Sequence, residues 1–137
     1  MSRLIICTLT IVLVMVATPV FAHHGTPISY DNATLITSKA TVTAFEYKNP
    51  HVRIFFDTKD EKGHVRHWSG EMANPAQYVR AGWGKKRTEE ELKPGVVLTI
   101  SYFLSKAQEN LPPDVGAALI VKIRNAKDEQ VLLDRRF

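Results

Sequence analysis

The chain opens with an apolar run, Leu4 to Val16, preceded by the single cation Arg3. Pro19 interrupts it, and Val20-Phe21-Ala22 puts small residues at the two positions a signal peptidase reads. The run is shorter than the ~20 residues needed to cross hydrocarbon. It therefore predicts a secretory signal peptide over residues 1–22, cut after Ala22, rather than a membrane anchor. Residues 23–34 are polar, include Gly25 and Pro27, and predict an extended arm that Tyr30 pins to the body.

Further along, the pattern turns to strands. "SKATVTAFEY", residues 38–47, is rich in β-branched and aromatic residues and alternates loosely. "KNP" predicts a turn, because Pro50 disfavours helix at Asn49. In "HVRIFFDT", residues 51–58, Val52, Ile54 and Phe56 share one face, and His51, Arg53, Phe55 and Asp57 the other. After a turn with Gly63, "HVRHWSGEM", residues 64–72, completes a three-stranded meander.

The period then changes. Asn74 caps a predicted helix, Pro75 suits its first turn, and Gly82 ends it. Ala76, Tyr78, Val79 and Trp83 form its apolar stripe. Thr88 and Glu91 have capping-box spacing for a second helical turn. Pro94-Gly95 turns into a long strand, with Val96, Leu98, Ile100 and Tyr102 on one face and Val97, Thr99 and Ser101 on the other. A proline-stiffened loop follows, then "AALIVKIRN" as a fifth strand and "QVLLDRRF" as its partner.

Three strands, a helix, then two or three strands is the order of an OB-like Greek-key barrel over residues 35–137. Closure also removes exposed strand edges. An open sheet or sandwich with the helix packed across one side is the alternative.

Composition sharpens this picture. Cys7 lies within the apolar run after Ile6, which is too large to precede a lipidated cysteine. Cleavage leaves 115 residues without cysteine, so stability must come from apolar burial, and this length suffices for one core. The remaining 17 basic and 14 acidic residues are mostly dispersed, apart from Lys85-Lys86-Arg87 and Arg135-Arg136. That balance reads as solubility, with weak attraction to anionic envelope surfaces as a secondary expectation; export argues against a nucleic-acid partner, and removal of the signal leaves no membrane span.

"AHH" at the cut, "VTAFEYKNPHVRIFF", "AGW" and "LKPGVVLTI" together resemble a family of small exported bacterial proteins of unknown function. The resemblance spans nearly all of the mature chain through the order and spacing of these motifs. Ala40 stands where that family usually has Gly, and Val96 where it usually has Asp. The resemblance implies a periplasmic OB-like barrel and supplies no activity.

Candidate chemistry starts with five histidines, all beyond the cut. Cleavage makes His23 the first residue, so that its α-amine and imidazole can chelate a metal, with His24 or His51 adding a nitrogen. Such ligands suit copper or zinc, copper being favoured by the general affinity order. The plainer reading makes the pair part of a solvated arm and gives His51 a local backbone hydrogen bond. His64 and His67 point to opposite faces of a strand and should not share a metal.

No nucleophile elbow, phosphate loop, dinucleotide motif or conventional zinc spacing is present. Glu46 and Glu71 are explained more simply as partners of Arg53 or Arg66 than as a catalytic pair. A non-enzymatic binding module is the favoured expectation. Tyr47, Phe55 and Trp68 would flank Arg53 and Arg66 on a strand face that binds an envelope protein, a glycan or a small anion. A periplasmic copper- or zinc-binding protein is the alternative.

Overall fold

The computed structural model describes residues 29–129 and 131–134. The expected signal peptide, His23, His24 and most of the expected arm lie outside the described residues. The strands are β1 (Tyr30–Glu46), β2 (Arg53–Lys59), β3 (Val65–Glu71), β4 (Val97–Ser105), β5 (Val115–Asn125) and β6 (Val131–Asp134). Two short helices, α1 (Pro75–Arg80) and α2 (Lys85–Glu91), stand between β3 and β4.

The sheet order is β3-β2-β1-β4-β5-β6, and an added parallel pairing of β3 with β5 closes the first five strands into a barrel. The closed OB-like barrel is therefore the form adopted, not the open sheet or sandwich. β6 extends β5 outside the closed ring, pairing Ile123 with Leu133 as the sequence suggests.

β1 is longer than its pattern predicts. Tyr30 and Asp31 pair with Ser105 and Leu104 of β4, so the end of the expected arm is strand. Register shifts between Asp31 and Ile36 and between Val42 and Ala44 bend β1. A bulged strand twists more strongly, and this lets one strand serve two neighbours around a small barrel. Thr41 faces Asp57 of β2 on one side and Val97 of β4 on the other.

Period-two alternation fills the interior from β2 as expected, whereas β4 is buried continuously from Leu98 to Tyr102, Thr99 and Ser101 included. Val52, Ile54, Phe56, Leu98, Ile100 and Tyr102 are all buried, joined by Ile120 and Ile123 of β5. Phe56 stacks on Trp68 with centroids 6.0 Å apart, and Tyr102 tilts against Trp68 at 4.9 Å. The aromatic trio sits inside the barrel, where ring pairs add to the burial of their area.

The helices close the end of the barrel near the start of β2 and the finish of β3. Tyr78, Trp83 and Leu92 are buried in one cluster with Val52 and Met72. Asn74 caps α1 by accepting from the Gln77 amide, and Gln77 Oε1 accepts from the Asn74 amide, so the capping box is here. Thr88 is not a cap. It lies inside α2, which starts at Gly84, and its hydroxyl donates to the Gly84 carbonyl. Ala76 and Val79 are exposed, leaving Tyr78 as the buried residue of α1. A helix of six residues turns too little to bury a wider stripe.

Candidate functional site

The end of the barrel away from the helices opens into a cavity of about 560 Å³. Ile36, Trp68, Leu104 and Pro113 give it apolar wall, and Ser38, Thr58, Arg66 and Tyr102 give it polar groups. The β2–β3 hairpin sets the arrangement. Its register places Phe56 opposite Trp68 and Thr58 opposite Arg66, so Arg66 and Trp68 share the inward face two residues apart.

Each polar group in this mouth has a defined position. Trp68 Nε1 donates to Thr58 Oγ1 at 2.9 Å. The Arg66 guanidinium lies 4.6 Å from the Trp68 ring centroid and donates through Nη2 to the Val115 carbonyl at 3.2 Å. Its Nε is buried without a hydrogen-bond partner. A buried donor in that condition costs free energy unless an acceptor reaches it. The Tyr102 hydroxyl lies 3.4 Å from Ser38 Oγ, and burial raises the pKa of the phenol. At the rim, Asp60 holds His64 Nδ1 at 2.9 Å and accepts from the Lys62 and His64 amides. The His64 hydrogen bond is the main reason that its carboxyl pKa is lowered.

A smaller groove of about 280 Å³ lies where the β1–β2 connection passes the outer face of β3. His51 Nδ1 lies 2.9 Å from Glu71 Oε1, and the Tyr30 hydroxyl donates to Glu71 Oε2 at 2.9 Å. Both carboxylate oxygens are thus engaged. Lys48, Asn49, Arg53 and Ser69 also line the groove. Lys48 and Arg53 are drawn to Glu46 at 2.9 and 4.0 Å.

The five residues expected to form one ligand face are divided among three places. Arg66 and Trp68 belong to the mouth. Arg53 and Phe55 lie on the other face of β2 from the buried Ile54 and Phe56. The Tyr47 hydroxyl donates to the Pro75 and Trp83 carbonyls, tying the helical segment to the end of β1. Trp68 is an interior residue, because its parity matches Gly70 and Met72 rather than Val65 and His67. Glu71 answers to His51 and Tyr30 rather than to Arg66, while Glu46 does meet Arg53. His64 and His67 pair separately with Asp60 and Asp57.

Tyr30, Ser38, Thr58 and Tyr102 were not singled out as site residues by the sequence. The hairpin register would have found Thr58, since it stands opposite Arg66. Among the described residues, no group of three or more His, Cys, Asp or Glu is gathered to hold a metal, so His51 has only Glu71 beside it. No described helix is long and apolar enough to cross a membrane.

No curated protein and no solved structure matches the chain. Comparison with protein families matches residues 11–110 to a family of unknown function, DUF6152. That match covers most of the chain and includes β1 to β4, both helices and nearly every wall of the mouth, and on this ground the chain belongs to the DUF6152 family.

Proposed function

We propose that the protein is an exported, non-enzymatic binding module that holds a small amphipathic anion in the mouth of its barrel. The observation that carries this reading is the buried, unpartnered Nε of Arg66 beside a cavity with both aromatic and aliphatic walls. An anionic oxygen supplies the missing acceptor, and hydrogen bonds to charged groups are among the stronger ones. Ile36, Leu104 and Pro113 suit an apolar tail, and the Ser38 and Tyr102 hydroxyls offer a second polar contact. Small-molecule sites commonly combine apolar walls with a few fixed polar groups in this way. The signal-like first 22 residues support the exported, periplasmic part of this reading.

Differential scanning fluorimetry against aliphatic carboxylates and phosphate monoesters of increasing chain length tests the reading. Saturable stabilisation that grows with chain length and disappears in Arg66→Ala is the expected result. Equal responses in the native protein and Arg66→Ala, or hydrolysis of any probe abolished by one substitution, would overturn it. Mass spectrometry of the purified cellular protein tests the cut after Ala22.

A further inference from the structure

We infer that the mouth takes a single-chain aliphatic monocarboxylate head first, its carboxylate held between Arg66 and Tyr102 and its chain leaving past Ile36, Leu104 and Pro113. The inference rests on the proposed anion site and adds the headgroup class and the direction of entry.

The direction comes from strand register. Along the β2–β3 hairpin, Phe56 faces Trp68, Thr58 faces Arg66 one layer further out, and Lys59 faces Val65 beyond that. Between β1 and β4 the pairs run Ser38 with Ile100, Ile36 with Tyr102, and Asp31 with Leu104. Side chains two apart on a strand share a face, so Ile36 stands outside Ser38, and Leu104 outside Tyr102. Exposure follows the same order: Trp68 and Tyr102 are buried, Ile36 and Leu104 half-buried, and Val65 and Pro113 exposed. The polar contacts therefore lie deep, and the apolar wall lies toward the opening. An amphiphile entering chain first would press hydrocarbon against the buried Arg66 Nε and leave that donor unsatisfied.

Two donors define the headgroup. The Arg66 guanidinium and the Tyr102 ring both rest near Trp68, at 4.6 and 4.9 Å from its ring centroid. Arg66 commits Nη2 to the Val115 carbonyl, while Nε has no acceptor. The Tyr102 hydroxyl is 3.4 Å from Ser38 Oγ, too long for a strong bond, so a charged oxygen can draw its proton away from Ser38. Burial raises the pKa of this phenol and keeps it a donor at neutral pH. A carboxylate offers one oxygen to each donor.

Charge selects the class. Among the described residues lining the mouth, Arg66 is the charged side chain below the hairpin end. Lys59 has the outward parity of Phe55 and Asp57, and Asp60 and His64 pair with each other at the rim. Arg66 matches a monoanion, whereas a phosphate dianion would carry a second, unmatched charge into a partly desolvated site.

Calorimetric titration of the purified protein with dodecanoate, dodecanedioate and dodecyl phosphate tests this. Dodecanoate should bind, and dodecanedioate should match it within about threefold, because a distal carboxylate at the opening keeps its water. Dodecyl phosphate should bind more weakly by about tenfold or more. Tyr102→Phe should weaken dodecanoate binding by about tenfold or more, the scale of a hydrogen bond to a charged group, while its urea midpoint stays near that of the native protein. Loss of dodecanedioate binding would show the chain entering first and overturn the inference. So would dodecyl phosphate binding as tightly as dodecanoate, or unchanged dodecanoate affinity in Tyr102→Phe. Each of those outcomes leaves Arg66-dependent anion binding standing. Dodecanoate binding that Arg66→Ala does not alter, or no binding of any of the three probes, would remove the anion site itself and this inference with it.

Discussion

Trp68 lies flat against Gly116, its register partner across the parallel β3–β5 pair. A Cβ added at Gly116 would come within 2.6 Å of the indole Cδ2 and closer still to other ring atoms. Trp68 cannot retreat, because Phe56 and Tyr102 pack against it. Gly116→Ala should therefore destabilise the fold by about 1–3 kcal/mol, the usual cost of overfilling a packed core. Urea denaturation measures this, and an unchanged midpoint would mean that the indole has room to shift.

Trp83 closes the other end of the barrel. It is 5% exposed, and the Arg87 guanidinium lies 4.3 Å from its ring centroid. Trp83→Ala should cost about 3–5 kcal/mol, as buried aromatic truncations do. Arg87→Ala should cost less than about 1 kcal/mol, the scale of an exposed cation–π contact. Thermal melts of both variants check the ordering, and equal losses would contradict the placement of Trp83 as a plug.

The cap of α1 can be separated from its packing. Asn74 accepts from the Gln77 amide at 2.9 Å, and only Tyr78 of this helix is buried. Asn74→Ala should cost about 1 kcal/mol and Asn74→Gly only a few tenths. Chemical denaturation of the two variants distinguishes a lost side-chain acceptor from a general loss of helix.

Tyr102 predicts an alkaline response. Burial raises its pKa, with the Ser38 hydrogen bond and the Arg66 charge acting more weakly in the opposite direction. The folded state thus holds the phenolic proton more tightly than the unfolded chain. Its contribution is complete below the unfolded value of about 10 and is lost as pH rises through the raised folded value. Tyr102→Phe should flatten this part of the stability–pH curve and change stability at neutral pH by less than about 1 kcal/mol. Matching alkaline slopes in native and variant proteins would refute the assignment.

Much of the barrel was legible because burial alternates where one face meets the core. Val52-Ile54-Phe56 states this directly in sequence, whereas in β4 Thr99 and Ser101 are buried along with Leu98, Ile100 and Tyr102. The start of β1 was not legible, because Asp31, Asn32 and Thr34 are exposed, and backbone pairing with β4 rather than apolar contact makes that segment strand. Thr88 was misread for a different reason. A hydroxyl three residues before a glutamate fits a capping box, but Gly84 opens the helix one turn earlier.

The sites were less legible than the strands. Grouping Tyr47, Phe55 and Trp68 by chemistry ignored the parity that sends Trp68 inward. His51 stood out as a candidate nitrogen ligand or a locally bonded turn residue, whereas its partners Glu71 and Tyr30 come from distant strands. Sequence reveals which residue types are available, and the closed ring decides which of them meet.

The seam between β3 and β5 has a consequence for how the molecule comes into being. It pairs His67 with Val115 and Glu71 with Leu119, segments far apart along the polypeptide. A nascent chain ending before β5 lacks that seam and has two open strand edges. Such non-local pairing delays folding, since the intervening loop must be ordered before the contact forms. Closure of the ring thus waits for β5, the last of its five strands to be synthesised.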